Sequence, residues 1–154
     1  MKKVIISIGS NKGDKNKNII RVLKEIEDIG KIKKISSFYE NKPVEAKGGN
    51  FLNGAVEIEV KISPEKLLKK LKDIEKKIGR KFPHERGDER EIDLDIIFYG
   101  DRIINKEDLK IPHPQYKKRE FVLKPVCEIN PDFVDPKTFE KVKEIYKDFK
   151  DENM

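Results

Sequence analysis

Hydrophobic and polar residues recur along the chain with two periods, which together predict alternating strands and helices. Runs of β-branched residues predict strands over residues 3–9, 33–39, 51–60 and 92–96. Apolar residues spaced three and four apart predict a helix over residues 16–29, with Asp14 as its N-cap. A second helix is expected to begin at Ser63 and Pro64 and to end at Gly79. A short strand at residues 103–104 and a last helix at about residues 139–149 complete the prediction.

The order strand, helix, strand, strand, helix, strand is typical of a ferredoxin-like α/β sandwich. This is an α+β fold in which helices pack on one face of an antiparallel sheet, and we expect residues 1–154 to form one such domain. Strand periodicity puts Phe51 and Asn53 on the face opposite Leu52, and Asp93 and Asp95 on the face opposite their apolar neighbours. These four residues are therefore expected to lie together on the sheet face that the helices leave open.

Composition and charge bound the function without choosing it. Charged residues make up 42% of the chain and hydrophobic residues 36%, and the charge is spread evenly, which favours a folded domain with a small core. A net charge of +6 is compatible with nucleic acid, an acidic membrane or a nucleotide as partner. Cys127 is the only cysteine, so no intrachain disulfide can form, and we interpret it as a small buried hydrophobe. With no leader-like or membrane-length apolar segment, we expect a cytoplasmic protein.

Arginine is concentrated next to the predicted strand that carries the two aspartates. Six of the 35 basic residues are arginine, and Arg80, Arg86 and Arg90 lie in the preceding loop, where their planar donors suit phosphate. Asp93 and Asp95 are about 7 Å apart along a strand, so their carboxylates repel each other unless a cation lies near. Magnesium prefers one or two carboxylates together with phosphate oxygens, which predicts a magnesium–nucleotide site. The alternative is that both aspartates belong to the solvated face of a half-exposed strand.

Three further features admit two interpretations each. Phe51 and Asn53 could stack on and hydrogen-bond a flat heterocycle, or Phe51 could be covered by the preceding loop or a helix. His113, in the stiff Ile-Pro-His-Pro segment, could bind a ligand or be structural. The Gly-Ser-Asn-Lys-Gly-Asp turn at residues 9–14 could cradle phosphate, but it lacks the residues of a P-loop, so we favour an ordinary turn.

Several ordered blocks resemble one known family over essentially the whole chain. They are IGSNKGD at 8–14, SSFYENKPV at 36–44, FLNGAV at 51–56, GR at 79–80, REIDLDIIFYG at 90–100, IPHP at 111–114 and REFVLKPVCEINP at 119–131. The family is that of the 6-hydroxymethyl-7,8-dihydropterin pyrophosphokinases of folate biosynthesis. The resemblance implies a ferredoxin-like sandwich that transfers diphosphate from ATP to the pterin hydroxymethyl group and releases AMP.

The resemblance also implies a role for each matching residue. Asp93 and Asp95 would bind two magnesium ions, and Arg80 and Arg90 would act on the phosphates. The ATP-binding set would be Lys72, Glu75, Arg86, Arg90, Ile96, Lys110, His113 and Arg119, and the pterin-binding set would be Lys42, Pro43, Val44, Phe51, Asn53 and Phe121. The pterin hydroxyl would attack the β-phosphorus in line, with Asp95 or a metal-bound water as alternative general bases.

The chain departs from the family pattern in the arginine loop and before the pterin-binding strand. Gly87 follows Arg86, Phe82 replaces a residue that can be arginine, and Glu89 precedes Arg90, while Lys42 replaces the first proline of a frequent pair. These changes leave the predicted metal and pterin residues intact but put the contribution of Arg86 in question. Gly79 and Gly87 would allow residues 81–89 to close as a lid.

Two other functions compete with the family prediction. An RNA-binding module would use aromatic residues on an open sheet face, but it leaves paired aspartates on that face unexplained and lacks the expected aromatic motif. A metal-dependent nuclease would use the aspartates but gives no role to Phe51 and Asn53. We therefore expect a monomer that acts on two small molecules, ATP and the pterin, and binds neither nucleic acid nor membranes.

Overall fold

A computed structural model describes residues 1–41, 50–79 and 92–153. The described residues form an antiparallel sheet in the order β2-β4-β1-β5, with β3 pairing with β4 on the same side as β2, and a separate small ribbon of β6 and β7. The elements are β1 (Lys2–Ser10), α1 (Lys15–Glu27), β2 (Lys31–Ile35), β3 (Tyr39–Asn41), β4 (Phe51–Val60), α2 (Pro64–Ile78), β5 (Asp93–Tyr99), β6 (Ile104–Asn105), β7 (Lys110–Ile111), α3 (Glu120–Ile129) and α4 (Val142–Glu152).

Helices α1 and α2 cover one face of the sheet, as predicted. Asp14 caps α1 by accepting from the backbone N–H of Lys17 at 3.1 Å, and Ser63 caps α2 by accepting from that of Lys66 at 3.2 Å. The apolar stripes of both helices join alternate residues of the strands in the larger core, which includes Ile6, Ile8, Val22, Ile26, Val56, Ile58, Leu67, Leu71, Leu94 and Ile96. The predicted α+β class with an antiparallel sheet is therefore confirmed.

The second face, opposite α1 and α2, also carries helices. Helices α3 and α4 pack there in a smaller core with Ile5, Ala55 and Phe98. The predicted sandwich had helices on one face, and it is corrected here because α3 was not predicted. Pro125 interrupts the sequence pattern in the middle of α3, and the residues before it had been interpreted only as candidate ligands. Cys127 lies half-buried in this core, and burial raises the pKa of its thiol, in keeping with the predicted apolar role.

A register shift in the pairing of β1 with β5 shapes the second core. Ile5 pairs with Phe98 but the next residue of β1 pairs with Ile96, so β5 has one extra residue at this point. Ile97 and Phe98 therefore both join the second core, while Tyr99 returns to the first. Strict alternation along the strand could not predict this arrangement.

Other boundaries differ from the predictions in ways that local contacts explain. The predicted strand at residues 33–39 is two short strands, because Ser36 breaks the regular pairing and its hydroxyl accepts from the N–H of Ala55 at 2.8 Å. The last helix begins at Val142 because the preceding turn is organised by Asp135, which accepts from the N–H of Lys137 at 2.7 Å. Over the described ranges no helix is both long and apolar enough to cross a bilayer.

Candidate functional site

The predicted site residues meet at the end of the second face that α3 and α4 leave open. Gly9 of β1 pairs with Asn53 of β4 on one side and with Asp93 of β5 on the other. The three residues therefore form one row across the sheet, and Asp95 lies two residues along β5 in the neighbouring row. The sequence prediction that the amide and the two carboxylates share a face is confirmed.

Gly9 keeps the centre of this row open. A Cβ atom at this position would lie 2.7 Å from Oδ1 of Asn53 and 3.7 Å from Cδ1 of Phe51. No real side chain tolerates the shorter distance, so any other residue would displace the Asn53 amide. Sequence reasoning had placed Gly9 in a turn, and its function in the floor of the site was missed because it follows from cross-strand register alone.

The carboxylates of Asp93 and Asp95 repel each other. Burial, the Asp93 carboxylate and then the Glu75 carboxylate raise the pKa of Asp95 to about 7, while Arg119 and Lys72 act in the opposite direction. No group of three or more histidine, cysteine or acidic side chains placed to hold a metal occurs among the described residues. Two carboxylates with space in front of them are what magnesium uses when substrate phosphates and water complete its shell. The donor set therefore fits the predicted metal.

Glu75 supports the aspartate strand from behind. It is 2% exposed, and its Oε2 accepts from the backbone N–H of Leu94, between the two aspartates, at 2.9 Å. β5 is an edge strand of the described sheet, and this amide points away from β1. Oε1 of Glu75 lies 3.7 Å from Nζ of Lys72. Glu75 therefore holds the backbone that sets the spacing of Asp93 and Asp95.

His113 covers the same edge further along. Its backbone N–H donates to the carbonyl of Ile97 at 3.0 Å, and its Nδ1 accepts from the N–H of Gln115 at 3.1 Å. Burial lowers the pKa of His113, and Arg119 lowers it further, so the ring is neutral at pH 7 with its proton on Nε2. The side chain can thus donate one hydrogen bond to a ligand.

A cleft of about 220 Å³ lies along the edge of β5 and is lined by both Asp95 and His113. It gathers five of the predicted site residues, namely Lys72, Asp95, Ile96, Lys110 and His113. Sequence reasoning missed Leu68 and Leu109, which contribute apolar wall, and the acidic residues Glu107 and Asp108. The sequence pattern assigned Leu68 to the buried stripe of α2, and the residue does pack against that core while it also lines the cleft.

The start of α3 brings the last predicted residues to this face. Phe121 is half-buried against the second core, and the guanidinium carbon of Arg119 lies 5.7 Å from the centre of its ring. Phe51 is also half-buried, at the beginning of β4. The two aromatic residues therefore come from different elements on the same side of the sheet, which is the arrangement that the heterocycle hypothesis requires.

The turn predicted at residues 9–14 begins only after Ser10, because Gly9 and Ser10 belong to β1, and its remainder is an ordinary turn. Asp14 occupies the N-terminus of α1 with its own carboxylate, and Asn18 Nδ2 donates to the carbonyl of Lys12 at 3.0 Å. A helix end that is already capped by an acidic side chain is a poor site for phosphate. The favoured interpretation from the sequence is therefore supported.

The remaining predictions fall on other parts of the chain. Lys42, Pro43, Val44, Arg80, Arg86 and Arg90 lie outside the described residues, as does the predicted lid at 81–89.

Comparisons with known proteins agree with the geometry. Residues 5–131 match the family model described as 7,8-dihydro-6-hydroxymethylpterin-pyrophosphokinase (HPPK). The chain is 39% identical over 154 residues to the 2-amino-4-hydroxy-6-hydroxymethyldihydropteridine pyrophosphokinase of Aquifex aeolicus, covering 99% of this chain and 93% of that one. It is 38% identical to the protein of the same name from Synechocystis, covering 87% of this chain and 69% of that one.

A solved structure shows the same fold at low sequence identity. The structure of Plasmodium falciparum HPPK-DHPS superimposes with a TM-score of 0.78 at 14% identity, covering 96% of this chain but only 44% of that one. The folic acid synthesis protein fol1 of Pneumocystis carinii is 44% identical, and this chain spans 18% of its length. These longer proteins therefore correspond to the present chain in one part of their length only.

Proposed function

The chain belongs to the 7,8-dihydro-6-hydroxymethylpterin-pyrophosphokinase family, and from this premise we propose that it transfers a diphosphate group from ATP to 6-hydroxymethyl-7,8-dihydropterin. The reaction forms a bond between the hydroxymethyl oxygen and the β-phosphorus, breaks the bond from that phosphorus to the bridging oxygen of the α-phosphate, and releases AMP and the proton of the hydroxyl group. The observation that carries the proposal is the row of Asn53, Gly9 and Asp93, with Asp95 beside it at the mouth of the cleft.

The cleft along β5 is the proposed nucleotide site. Leu68, Ile96 and Leu109 provide apolar surface for a base, while Lys110 and His113 provide donors at the same cleft. Lys72 adds a positive charge at its rim, beside Glu75. Asp95 belongs to this cleft and to the sheet face, so a nucleotide bound here directs its phosphates toward the pterin side.

Asp93 and Asp95 are the proposed magnesium ligands. When bound, the two expected ions would neutralise phosphate charge and hold the diphosphate for in-line attack. Glu75 keeps the two carboxylates in register through its hydrogen bond to Leu94. Arg119 contributes a further positive charge near Asp95, placed to meet phosphate oxygens.

The open row is the proposed pterin site. Phe51 and Phe121 would stack on the two sides of the ring, and the amide of Asn53 would pair with its edge, since an amide supplies both donors and an acceptor. Gly9 leaves room for the ring between Asn53 and Asp93. We assign the same roles as the sequence resemblance does to residues beyond the described ranges, with Lys42, Pro43 and Val44 at the pterin edge and Arg80, Arg86 and Arg90 at the phosphates.

We also propose that the protein acts as a monomer on these small molecules. The outer edge formed by β2 carries Lys31, Lys33 and Lys34, and charged lysines on an edge strand oppose pairing with a second sheet.

Half-buried aspartates on the open face, backed by Glu75, would repel the phosphates of RNA in the absence of a metal ion.

The decisive experiment measures AMP and ADP released from ATP and magnesium, with and without 6-hydroxymethyl-7,8-dihydropterin. Pterin-dependent AMP without ADP is the expected result, because only attack on the β-phosphorus gives it. Turnover that yields ADP, or AMP release that is independent of the pterin, would contradict the proposed transfer. If neither AMP nor ADP forms, and the protein binds RNA in a salt-sensitive way without magnesium, the nucleic-acid alternative would be favoured.

A further inference from the structure

Helix α3 presents one stripe of side chains that runs from the proposed pterin site to the start of β3. Lys124 and Glu128 follow Phe121 by three and seven residues, so the three side chains share one face of the helix. Phe121 lies in the first turn and Glu128 in the last. The helix therefore forms a rigid connection between Phe121 at the site and the segment that Glu128 contacts.

Glu128 binds the segment that leads into β3. Its Oε2 accepts from the backbone N–H of Ser37 at 2.8 Å and from the Ser37 hydroxyl at 3.0 Å, and its Oε1 accepts from the Tyr39 hydroxyl. The Tyr39 ring also receives the ammonium group of Lys124, 4.4 Å from its centre. The hydrogen bond from Tyr39 lowers the pKa of Glu128, so the carboxylate is charged at neutral pH. We call these four residues, Ser37, Tyr39, Lys124 and Glu128, the α3–β3 clamp.

The strand held by the clamp is the direct neighbour of the pterin-binding strand. Tyr39 pairs with Asn53, and Asn41 pairs with Phe51. Ser36 fixes the same segment to β4, because its N–H donates to the carbonyl of Ala55 at 2.9 Å. The clamp therefore joins the helix that carries Phe121 to the strand that carries Phe51 and Asn53.

The sheet also meets α3 through two hydrogen bonds at the C-terminal end of the helix, from Asn130 Nδ2 to Glu57 Oε1 at 2.6 Å and from Nζ of Lys34 to the carbonyl of Ile129 at 3.0 Å. The remaining connection is an apolar core, which is not directional. Val122, Leu123 and Val126 pack in the second core with Ala55, and such contacts resist separation more than they resist small shifts along the surface. Hydrogen bonds and a charged carboxylate have defined geometry. The clamp is thus a directional contact between α3 and β3, the strand that pairs with the Phe51–Asn53 end of β4.

We propose that Glu128 and Tyr39 are positioning residues that set the gap between Phe121 and the Phe51–Asn53 end of β4, and thereby determine affinity for the pterin ring. This inference rests on the proposed function, in which the ring stacks between Phe51 and Phe121. A ring between two aromatic planes needs about 7 Å, twice the contact distance of about 3.5 Å. Widening each contact by about 0.5–1 Å forfeits roughly a quarter to a half of its dispersion attraction.

The test compares two tyrosine variants that each remove one hydroxyl bonded to a carboxylate of α3. Tyr39→Phe breaks the clamp, whereas Tyr146→Phe breaks a bond to Glu120 Oε2 of 3.2 Å that leads to α4 instead. For Tyr39→Phe we expect the pterin KM to rise about fivefold and for Glu128→Ala about tenfold, since small misplacement of a bound group is costly. Tyr146→Phe should leave the pterin KM unchanged, and all three variants should keep the ATP KM of the wild type.

Two further readouts separate positioning from general damage. Stacking on aromatic residues perturbs pterin fluorescence, so a fluorescence titration should show the same loss of pterin affinity as the KM values. Glu128→Gln keeps an acceptor oxygen and should recover part of the affinity that Glu128→Ala loses. An unchanged pterin KM in both clamp variants, or equal rises of the pterin and ATP KM, would overturn the inference. Phe121→Ala serves as the reference for the proposed function. If it also left the pterin KM unchanged, the stacking site itself would be wrong, and the clamp inference would fall with it.

Discussion

The two ends of the second sheet face are built from the same three strands but bury different kinds of residue. At the covered end Ile5, Ala55 and Phe98 are completely shielded beneath α3 and α4. At the open end the same strands present a glycine, Asn53 and the two aspartates. The alternation of β1 and β4 is the same at both ends, whereas β5 has one extra residue at the covered end. The two ends therefore differ mainly in residue type. The comparison teaches that one sheet face can be divided between stability and chemistry at the point where a helix begins.

The start of α3 marks that division. Arg119 ends the preceding turn and Glu120 begins the helix, so the apolar residues of α3 cover the second core while Phe121 remains at the border. The side chain of Glu57, toward the covered end, is buried as well, yet Asn130 satisfies it with a hydrogen bond of 2.6 Å. The buried carboxylate at the covered end is therefore used within the fold, whereas the aspartates at the open end remain available to a cation.

The largest effect should come from Asp95→Asn, which changes the open end alone. We expect kcat/KM to fall about 1000-fold or more, because the variant loses a charge that magnesium and phosphate require. Without magnesium its stability should equal or exceed that of the wild type, since burial and the neighbouring carboxylates oppose the charge of Asp95. Steady-state AMP formation and urea unfolding measure both quantities.

The control for Asp95→Asn is Asp73→Asn, an exposed carboxylate of α2 that lies in a groove with Glu25 and Lys77, away from the cleft. It should retain full activity. Substantial turnover by Asp95→Asn would remove the proposed metal site.

The next largest effect should come from Phe98→Ala at the covered end. Phe98 is completely buried, with its ring 5.0 Å from that of Tyr116 and 4.5 Å from that of Phe133. Truncating such a residue costs about 3–5 kcal/mol of unfolding free energy, measurable by urea denaturation. Phe139→Ala is the matched control, because Phe139 is 80% exposed. Equal stabilities of the two variants would contradict the assignment of the covered end to stability.

The division between the two ends was only partly predictable from the sequence. Alternation within each strand, combined with the predicted sandwich whose helices cover the opposite face, assigned Phe51, Asn53, Asp93 and Asp95 to one face. The composition of the cleft could not be derived in the same way. Leu68 and Leu109 are 41 residues apart in the chain, and only the tertiary packing of α2 against the segment before β7 brings them together.

Residues with two plausible local interpretations were the hardest to assign. Gly9 looked like a turn residue, yet its importance arises from the side chain of Asn53 on the neighbouring strand. Helix α3 was missed since Pro125 counts against a helix locally, although burial of its apolar face outweighs that penalty. Tertiary context decided both cases.

A smaller effect should follow from Gly9→Ala, which introduces one carbon atom at the open end. The new Cβ would lie 2.7 Å from Oδ1 of Asn53, so the amide must move away from its place in the row. We expect the pterin KM to rise about tenfold, as for other small misplacements of binding groups, with the ATP KM unchanged. Steady-state AMP formation at varied pterin and at varied ATP measures this split. Equal losses for both substrates would show that the change spreads beyond the pterin side.

The last effect is a dependence of stability on pH that arises from Asp95 at the open end. The pKa of Asp95 is about 7 in the folded chain and 3.8 as its ordinary value, so between these values the folded chain holds a proton that the unfolded chain has released. The contribution of the Asp95 carboxyl to stability is therefore fully present below the lower pKa and is lost as pH rises through the upper pKa. In EDTA, the unfolding free energy of the wild type should fall relative to that of Asp95→Asn from pH 4 to pH 7.

Magnesium should reverse this trend, because a bound cation favours the ionised carboxylates and binds only the folded chain. With magnesium the unfolding free energy of the wild type should therefore rise relative to that of Asp95→Asn as pH increases, instead of falling. Phe98→Ala, measured in the same series, should run parallel to the wild type at every pH, since its defect is apolar. Parallel curves for Asp95→Asn as well would mean that neither burial nor the neighbouring carboxylates raise the pKa of Asp95, and the contrast between the two ends of the face would then rest on shape alone.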